Sequence, residues 1–398
     1  MTIWPARGVT DMPETMRKRK NETPDIEELL APYQSVALVL QGGGALGAYQ
    51  AGVFQALAEA GVHANWLSGV SIGAINAAII AGNRPENQLD RLRDFWETVS
   101  ERKIWLFTPE GDVFRRLRNQ VSSMMTMTTG LPGFFKLRNA NPWLQLSGAS
   151  GATSFYDTDE LRYTLDRLID WDVLNNRERR LSVGAVNVST GNFRYFDSEI
   201  EVLGPQHIMA SGALPPAFPA VLIENEYYWD GGIVSNTPLQ YLLEQEDVHD
   251  TLVFQVDLFS SRGILPRDMG DVLARHKDIM YSSRTRNNTD TFRRLHNLRL
   301  KLHQALLRVP PEALTDDDHA FLAAMEDVPQ INIVHLIYQQ KIYESDAKDY
   351  EFSDSSMREH WDSGYQDTRK TLGHRKWLAK PPESIGMTVH DVHRDDPS

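Results

Sequence analysis
Residues 35–81 carry an alternation of apolar runs and glycines that few folds can accommodate. Ser35–Leu40, Ser-Val-Ala-Leu-Val-Leu, is short, apolar and rich in β-branched residues, which predicts a buried strand. A glycine-rich loop follows over residues 41–47. Residues 48–60 then show helical spacing that ends at Gly61, a C-terminal cap. Residues 66–70 read as a second strand running into Gly69-Val70-Ser71-Ile72-Gly73, and residues 72–81 form a helix that is apolar nearly all round. Strand, helix and strand in this order make a βαβ unit, so the strands should be parallel and the crossover right-handed. The loops leaving the two strands then lie at one carboxyl edge of the sheet.

Two of those loops carry chemistry. Gly-x-Ser-x-Gly places Ser71 on a sharp strand-to-helix turn, where Gly69 and Gly73 remove the Cβ atoms that would clash. The N-terminus of the following helix points its N–H groups and dipole at the Ser71 oxygen, which favours developing negative charge. Gly42, Gly43 and Gly44 lie upstream, and their amides, with that of Ile72, can form an oxyanion hole. The spacing Gly42-x-Gly44-x-x-Gly47 also matches a dinucleotide fingerprint, but the second strand ends in Gly69-Val70-Ser71 rather than in a ribose-binding acid. A Walker A loop is excluded because no Gly-Lys-Ser/Thr follows. A bare glycine turn is the bland alternative. An α/β-hydrolase normally brings its nucleophile after more strands than Ser71 needs.

The third element is Tyr227-Tyr228-Trp229-Asp230-Gly231-Gly232, an aromatic strand ending in an acid and a glycine pair. A serine hydroxyl is a weak nucleophile and needs a base within hydrogen-bond reach; a buried Asp230 can be that base directly. With these motifs the chain resembles the patatin-like phospholipase family. The matching residues are Gly42, Gly43, Gly44 and Gly47 in the oxyanion loop, Gly69, Ser71 and Gly73 at the nucleophile, and Asp230, Gly231 and Gly232 at the base. Residues 210–219, Ala-Ser-Gly-Ala-Leu-Pro-Pro-Ala-Phe-Pro, also look like the family's segment before the aspartate. The resemblance implies a three-layer α/β/α fold with a mostly parallel central sheet, a Ser-Asp dyad of Ser71 and Asp230, and hydrolysis of lipid acyl esters without metal or cofactor. Many members carry Arg or Lys where this chain has Leu46. A Ser-His-Asp esterase remains open, because His249, His276, His296, His303 and His335 all follow Asp230. A catalytically silent lipid-binding scaffold and acyl transfer to an acceptor other than water are the further alternatives.

The charge is 41 minus 54, or −13, which argues against nonspecific nucleic-acid binding. The absence of cysteine excludes disulfides and thiolate metal sites. The N-terminal residues are polar, with Arg17-Lys18-Arg19-Lys20 and no apolar core, so no secretory signal is expected and the reading is cytoplasmic. We expect an N-terminal arm over 1–34, an acyl hydrolase domain over 35–258, and a mainly helical C-terminal extension over 259–398. The extension resembles one in a bacterial subgroup of the family. Residues 113–146 contain no acid and mix basic with aromatic side chains and methionines, which suits a lid or a lipid-facing patch. Residues 284–308 are basic with leucines at helical spacing, so they too could contact a membrane or a partner helix. Residues 331–338 read as one more strand, a helix begins near 352, and 380–398 read as a loose tail. Oligomeric state, acyl chain length and positional preference have no signature in the sequence.

Overall fold
The alternation of side chains along Ser35–Leu40 explains the layering. Leu38 and Leu40 pack into the larger apolar cluster, while Ala37 and Val39 pack into a second one on the opposite face. A strand buried on both faces belongs in the middle of a parallel sheet. The chain is described from a computed structural model, which covers residues 25–100, 112–245, 249–324, 328–341 and 348–391 and omits the side chains of 112–120, 283–286 and 324. Most of the expected N-terminal arm, the end of the tail and the side chains of Phe114, Arg115, Arg116 and Arg118 lie outside that description.

In chain order, α1 (Ile26–Leu30) leads into β1 (Ser35–Leu40), α2 (Gly47–Glu59), β2 (Trp66–Gly69) and α3 (Ile72–Ala81). Helices α4 (Pro85–Ser100) and α5 (Asp112–Thr129) precede an antiparallel pair, β3 (Lys136–Leu137) and β4 (Tyr156–Asp157). Next come α6 (Asp159–Leu168), α7 (Trp171–Asn175), β5 (Arg180–Asn187), β6 (Phe193–Asp197), α8 (Pro205–Ser211), β7 (Val221–Ile223) and β8 (Glu226–Asp230). The C-terminal part adds α9 (Leu239–Leu243), β9 (Thr251–Asp257), α10 (Met269–Leu306), α11 (Asp316–Ala324), β10 (Ile331–Ile337), α12 (Asp354–Gly373) and β11 (Met387–Asp391).

Among the described residues nine strands form one sheet, in the order β11-β10-β9-β1-β2-β5-β8-β7, with β6 also on β5. The pairings from β11 to β5 are parallel; β6, β7 and β8 add antiparallel pairs at the far side. The fold is therefore mixed α/β with a mostly parallel central sheet and a largely helical C-terminal region, as expected. Helix α3 is buried along its whole length, which its all-round apolar sequence requires. The other face is covered by α9 and by Phe292 of α10.

Residues on both sides of position 258 share this sheet, since β10 pairs with β9 from Ile331 opposite Thr251 to Ile337 opposite Asp257. The expectation of a loose tail over 380–398 is corrected: Met387–Asp391 is a parallel strand on β10. Its five residues mix polar and apolar types, and its partner is remote in sequence, so no local pattern marks it. Helix α12 packs across α2 at very short range. A Cβ on Gly364 would fall 2.0 Å from the Tyr49 carbonyl oxygen, and one on Gly52 would fall 1.8 Å from that of Trp361. The crossing is tied by Tyr49 Oη donating to Asp367 at 3.0 Å and Trp361 Nε1 donating to Gln55 at 2.7 Å.

Gly→Ala inside an unobstructed helix stabilises by about 1 kcal/mol. At Gly364 the added methyl must force the two helices apart, so Gly364→Ala should instead destabilise by about 1–3 kcal/mol. Chemical denaturation checks the sign; a stabilised Gly364→Ala protein would refute the close crossing.

Candidate active site
Ser71 occupies the turn between β2 and α3 with φ 57° and ψ −127°, a conformation non-glycine residues rarely adopt. The turn is tight enough that a Cβ on Gly69 would meet the Gly73 carbonyl oxygen at 2.4 Å, and one on Gly73 would meet that of Leu40 at 2.3 Å. Several hydrogen bonds hold it. Ser71 N–H donates to the Ser211 carbonyl and hydroxyl oxygens, both at 3.1 Å, and Ser211 Oγ donates onward to the Gly184 carbonyl at 2.7 Å. Ala74 and Ile75 N–H both donate to the Ser71 carbonyl, at 2.9 and 3.2 Å. Ile72 begins α3, so its N–H has no acceptor within the helix.

Sheet register brings Asp230 to the same place. Gly69 pairs with Val183, and two residues further along β5 Ala185 pairs with Asp230. Ser71 is two residues past Gly69, so nucleophile candidate and acid share one level at the sheet edge. The Ser71 and Asp230 side chains face the same cavity, and the nearby Ser71 hydroxyl lowers the proton affinity of the carboxyl slightly. Asp230 accepts from Gly232 N–H at 2.7 Å. Burial outweighs both influences and pushes the carboxyl from its ordinary value of 3.8 up to about 7.

The glycine loop meets Ser71 from β1. A Cβ on Gly42 would lie 3.0 Å from the Ser71 Cβ, and Gly44 has φ +55°. Gly42 N–H donates to the Asn236 carbonyl at 3.1 Å, while Asn236 Nδ2 donates to the Gly42 carbonyl at 2.9 Å. The Gly42 amide is thereby occupied. Gln41 anchors the loop from below: its Oε1 accepts from Leu258 N–H at 2.6 Å, and its carbonyl accepts from Gln50 Nε2 at 2.6 Å. Asn76 and Trp96 continue this buried network. Leu46 of this loop is fully buried in the core.

Ser71, Ile72, Asp230, Gly232 and the three loop glycines line one cavity of about 110 Å³. The rest of its wall is largely apolar, with Ile75, Leu214 and an aromatic group in which Phe135 contacts Phe218 at 5.1 Å and Tyr156 at 4.8 Å between ring centres. Among the described residues, no histidine lines it. His335 instead contacts Asp257 at 2.6 Å, three strands away from β2, and His296 contacts the Pro329 carbonyl at 2.8 Å. Sequence reasoning missed Ser211 and Asn236 as supports, and Tyr281, Asp349, Tyr350 and Phe352 as cavity walls contributed by the C-terminal segment. Ser211 lies in the 210–219 segment singled out above, whereas the others carry no local motif, because each acts through a contact remote in sequence.

The patatin-like phospholipase family matches residues 38–243, half of the chain. The chain belongs to that family. A second family described as patatin phospholipase matches residues 279–384. Among individual relatives, the patatin-like phospholipase domain-containing protein 7 of Rattus norvegicus is 46% identical over 55 residues, 14% of this chain and 4% of that protein. Lysophospholipase nte1 of Aspergillus terreus is 54% identical over 48 residues, 12% of this chain and 3% of that protein. The chain thus spans only a small part of the length of the curated relatives it matches. Among solved structures, VipD from Legionella pneumophila aligns with TM-score 0.38 and 16% identity over 86% of this chain and 67% of that one. Human GIVD cytosolic phospholipase A2 aligns with TM-score 0.32 and 11% identity over 58% and 45%. Membership in this phospholipase family supports a lipid hydrolase.

The raised proton affinity of Asp230 also has a consequence for stability. Its folded value, about 7, exceeds the ordinary 3.8 of an unfolded chain. The folded state therefore binds the proton more tightly, and stability is lost as pH rises from about 4 to 7, by about 1.4 kcal/mol per unit. Asp230→Asn removes the buried charge while keeping an acceptor for Gly232. It should melt several degrees above wild type at pH 8, with the advantage shrinking as pH falls toward 4. Equal melting temperatures at pH 8 would overturn the burial argument.

Proposed function
We propose that the protein is a serine acyl hydrolase of lipid esters, with Ser71 as nucleophile and Asp230 as its base. The observation that carries this reading is that sheet register sets the strained Ser71 level with a buried carboxyl held near neutrality, both lining one largely apolar cavity. A base with an affinity near the working pH is the most effective. That no described histidine lines the cavity favours the dyad over a triad.

In this reading Asp230 takes the Ser71 proton as Oγ bonds the ester carbonyl carbon. The oxyanion is held by the N–H groups of Gly43, Gly44 and Ile72, since that of Gly42 is bound to Asn236. Collapse breaks the bond to the alcohol, which receives the proton from Asp230. Water then attacks the acyl-enzyme, giving a proton to Asp230, and the fatty acid leaves as Ser71 recovers its own. No cofactor takes part.

The substrate class follows from the cavity and from the surface beside it. The described end of α5 is turned inside out: Ser122, Ser123 and Thr126 are buried, whereas Met124 is 68% exposed. Thr126 and Met127 line the cavity. Trp143, Leu144 and Leu146 stand nearby in sequence and are more than four-fifths exposed. Residues 121–146 contain Lys136 and Arg138 and no acid, in a chain of charge −13. An apolar, locally basic segment that contributes Thr126 and Met127 to the cavity wall suits a lipid surface. Leu295, Leu298 and Leu302 of α10 are exposed too, but none of them lines the cavity. No helix among the described residues is long and apolar enough to cross a membrane, so we assign a peripheral contact.

Ser71→Ala and Asp230→Asn should each lower hydrolysis of acyl esters by about 10⁴-fold or more. Because the base must be ionised, wild-type kcat/KM should rise with pH up to about 7 and then level off. Retained activity in Asp230→Asn would return the triad reading. Replacing Trp143 by Ala and Leu144 and Leu146 by Ser should reduce sedimentation with phosphatidylcholine–phosphatidylglycerol vesicles by tenfold or more, at about 1.5–3 kcal/mol per buried side chain. Hydrolysis of a short, water-soluble ester should not change. Unaltered vesicle binding would refute the contact.

A further inference from the structure
The C-terminal segment reaches the candidate oxyanion loop through backbone alone. A Cβ on Gly44 would lie 2.2 Å from the Asp349 carbonyl oxygen, so no side chain separates the two. Asp349, Tyr350 and Phe352 line the cavity, and Phe352 stacks on Trp96 at 6.4 Å. Where residues 348–352 lie therefore decides where Gly44 can lie.

Two ion pairs set that position. Lys348 Nζ contacts Asp278 Oδ1 at 2.7 Å, and Lys277 Nζ contacts Asp349 Oδ1 at 2.8 Å. Both side chains of the first pair are almost wholly buried, at 2% and 5% exposure. Lys348 also donates to Gln340 Oε1 at 3.2 Å. The sequence Lys277-Asp278 on α10 thus faces Lys348-Asp349 crosswise, each lysine on the other's aspartate. Sliding either segment by one residue would set lysine against lysine or aspartate against aspartate. A buried pair of this kind contributes little net stability but rejects wrong registers strongly.

We infer that this reciprocal Lys-Asp lock positions the oxyanion loop, making Lys348 and Asp278 positioning residues for Ser71 chemistry. The inference rests on the Ser71–Asp230 reading. In its terms, the C-terminal segment is a structural part of the active site, and the lock acts through Asp349 on Gly44 without touching substrate.

The test uses the full chain with Lys348→Met and Asp278→Asn. The first readout is covalent labelling of Ser71 by a fluorophosphonate, in which Oγ displaces fluoride at phosphorus and Asp230 takes the proton. The second is amide hydrogen exchange over residues 43–46. Removing one oxyanion donor costs about 10²–10³ in rate, so displacing the loop should slow labelling by about tenfold or more. For a short soluble ester, kcat should fall by a similar factor with KM little changed, and exchange over 43–46 should quicken. If Lys348→Met does not fold, Asp278→Asn, a near-isosteric change, carries the test. Labelling and exchange at wild-type rates in a folded variant would overturn the lock. If wild type itself neither labels nor hydrolyses any ester, the hydrolase reading falls, and exchange over 43–46 still decides whether the lock holds the loop.

Discussion
The closeness of Gly73 to the end of β1 is the constraint on which the site depends. With the Leu40 carbonyl 2.3 Å from where a Cβ would be, the first turn of α3 is pressed onto the last residue of the neighbouring strand. That contact forces the chain through Ser71 at φ 57°, a conformation an isolated serine would leave. The surroundings over-determine it: β2 is fixed by register to β1 and β5, α3 is wholly buried, and Ser211 grips the Ser71 amide. Strain and rigidity arise from the same packing. A looser core would let the serine relax away from Asp230.

The second requirement is a glycine loop that is bare yet fixed. Glycines leave amides accessible but bring conformational freedom, and the fold removes that freedom from outside. Asn236 holds Gly42 by both its backbone carbonyl and its side chain, Gln41 is pinned to Leu258, and Gln50 and Asn76 pass the restraint into the core. The Asp349 carbonyl bears on Gly44 from the opposite side. Acidity follows from the same enclosure, because the burial that orders Asp230 is what raises its proton affinity.

Much of this was legible in the chain. The strand over Ser35–Leu40, the strand over Ile331–Ile337 and the βαβ unit around Ser71 appear where period and glycine placement put them, since each depends on local pattern. The family resemblance drawn from the Gly42, Ser71 and Asp230 motifs agrees with the family match over residues 38–243. The strand at Met387–Asp391 was not legible, nor was the inverted end of α5, where serines and a threonine face the protein and methionines face solvent. Binary patterning assumes that apolar side chains turn inward, and this stretch of helix departs from that assumption.

By itself, the sequence determined the elements whose cause is local: a turn that only glycines at 69 and 73 permit, an all-apolar helix that must be buried, and an acid followed by two glycines. Tertiary structure alone decided which distant groups complete the site. Register across β2, β5 and β8 brings Asp230 level with Ser71. The crossing of α12 on α2 and the pairs of Lys277 and Asp278 with Asp349 and Lys348 carry residues 348–352 to Gly44. Local chemistry can be read along a chain because neighbours in sequence impose it; contacts between remote segments exist only once the sheet and helices have set their distances.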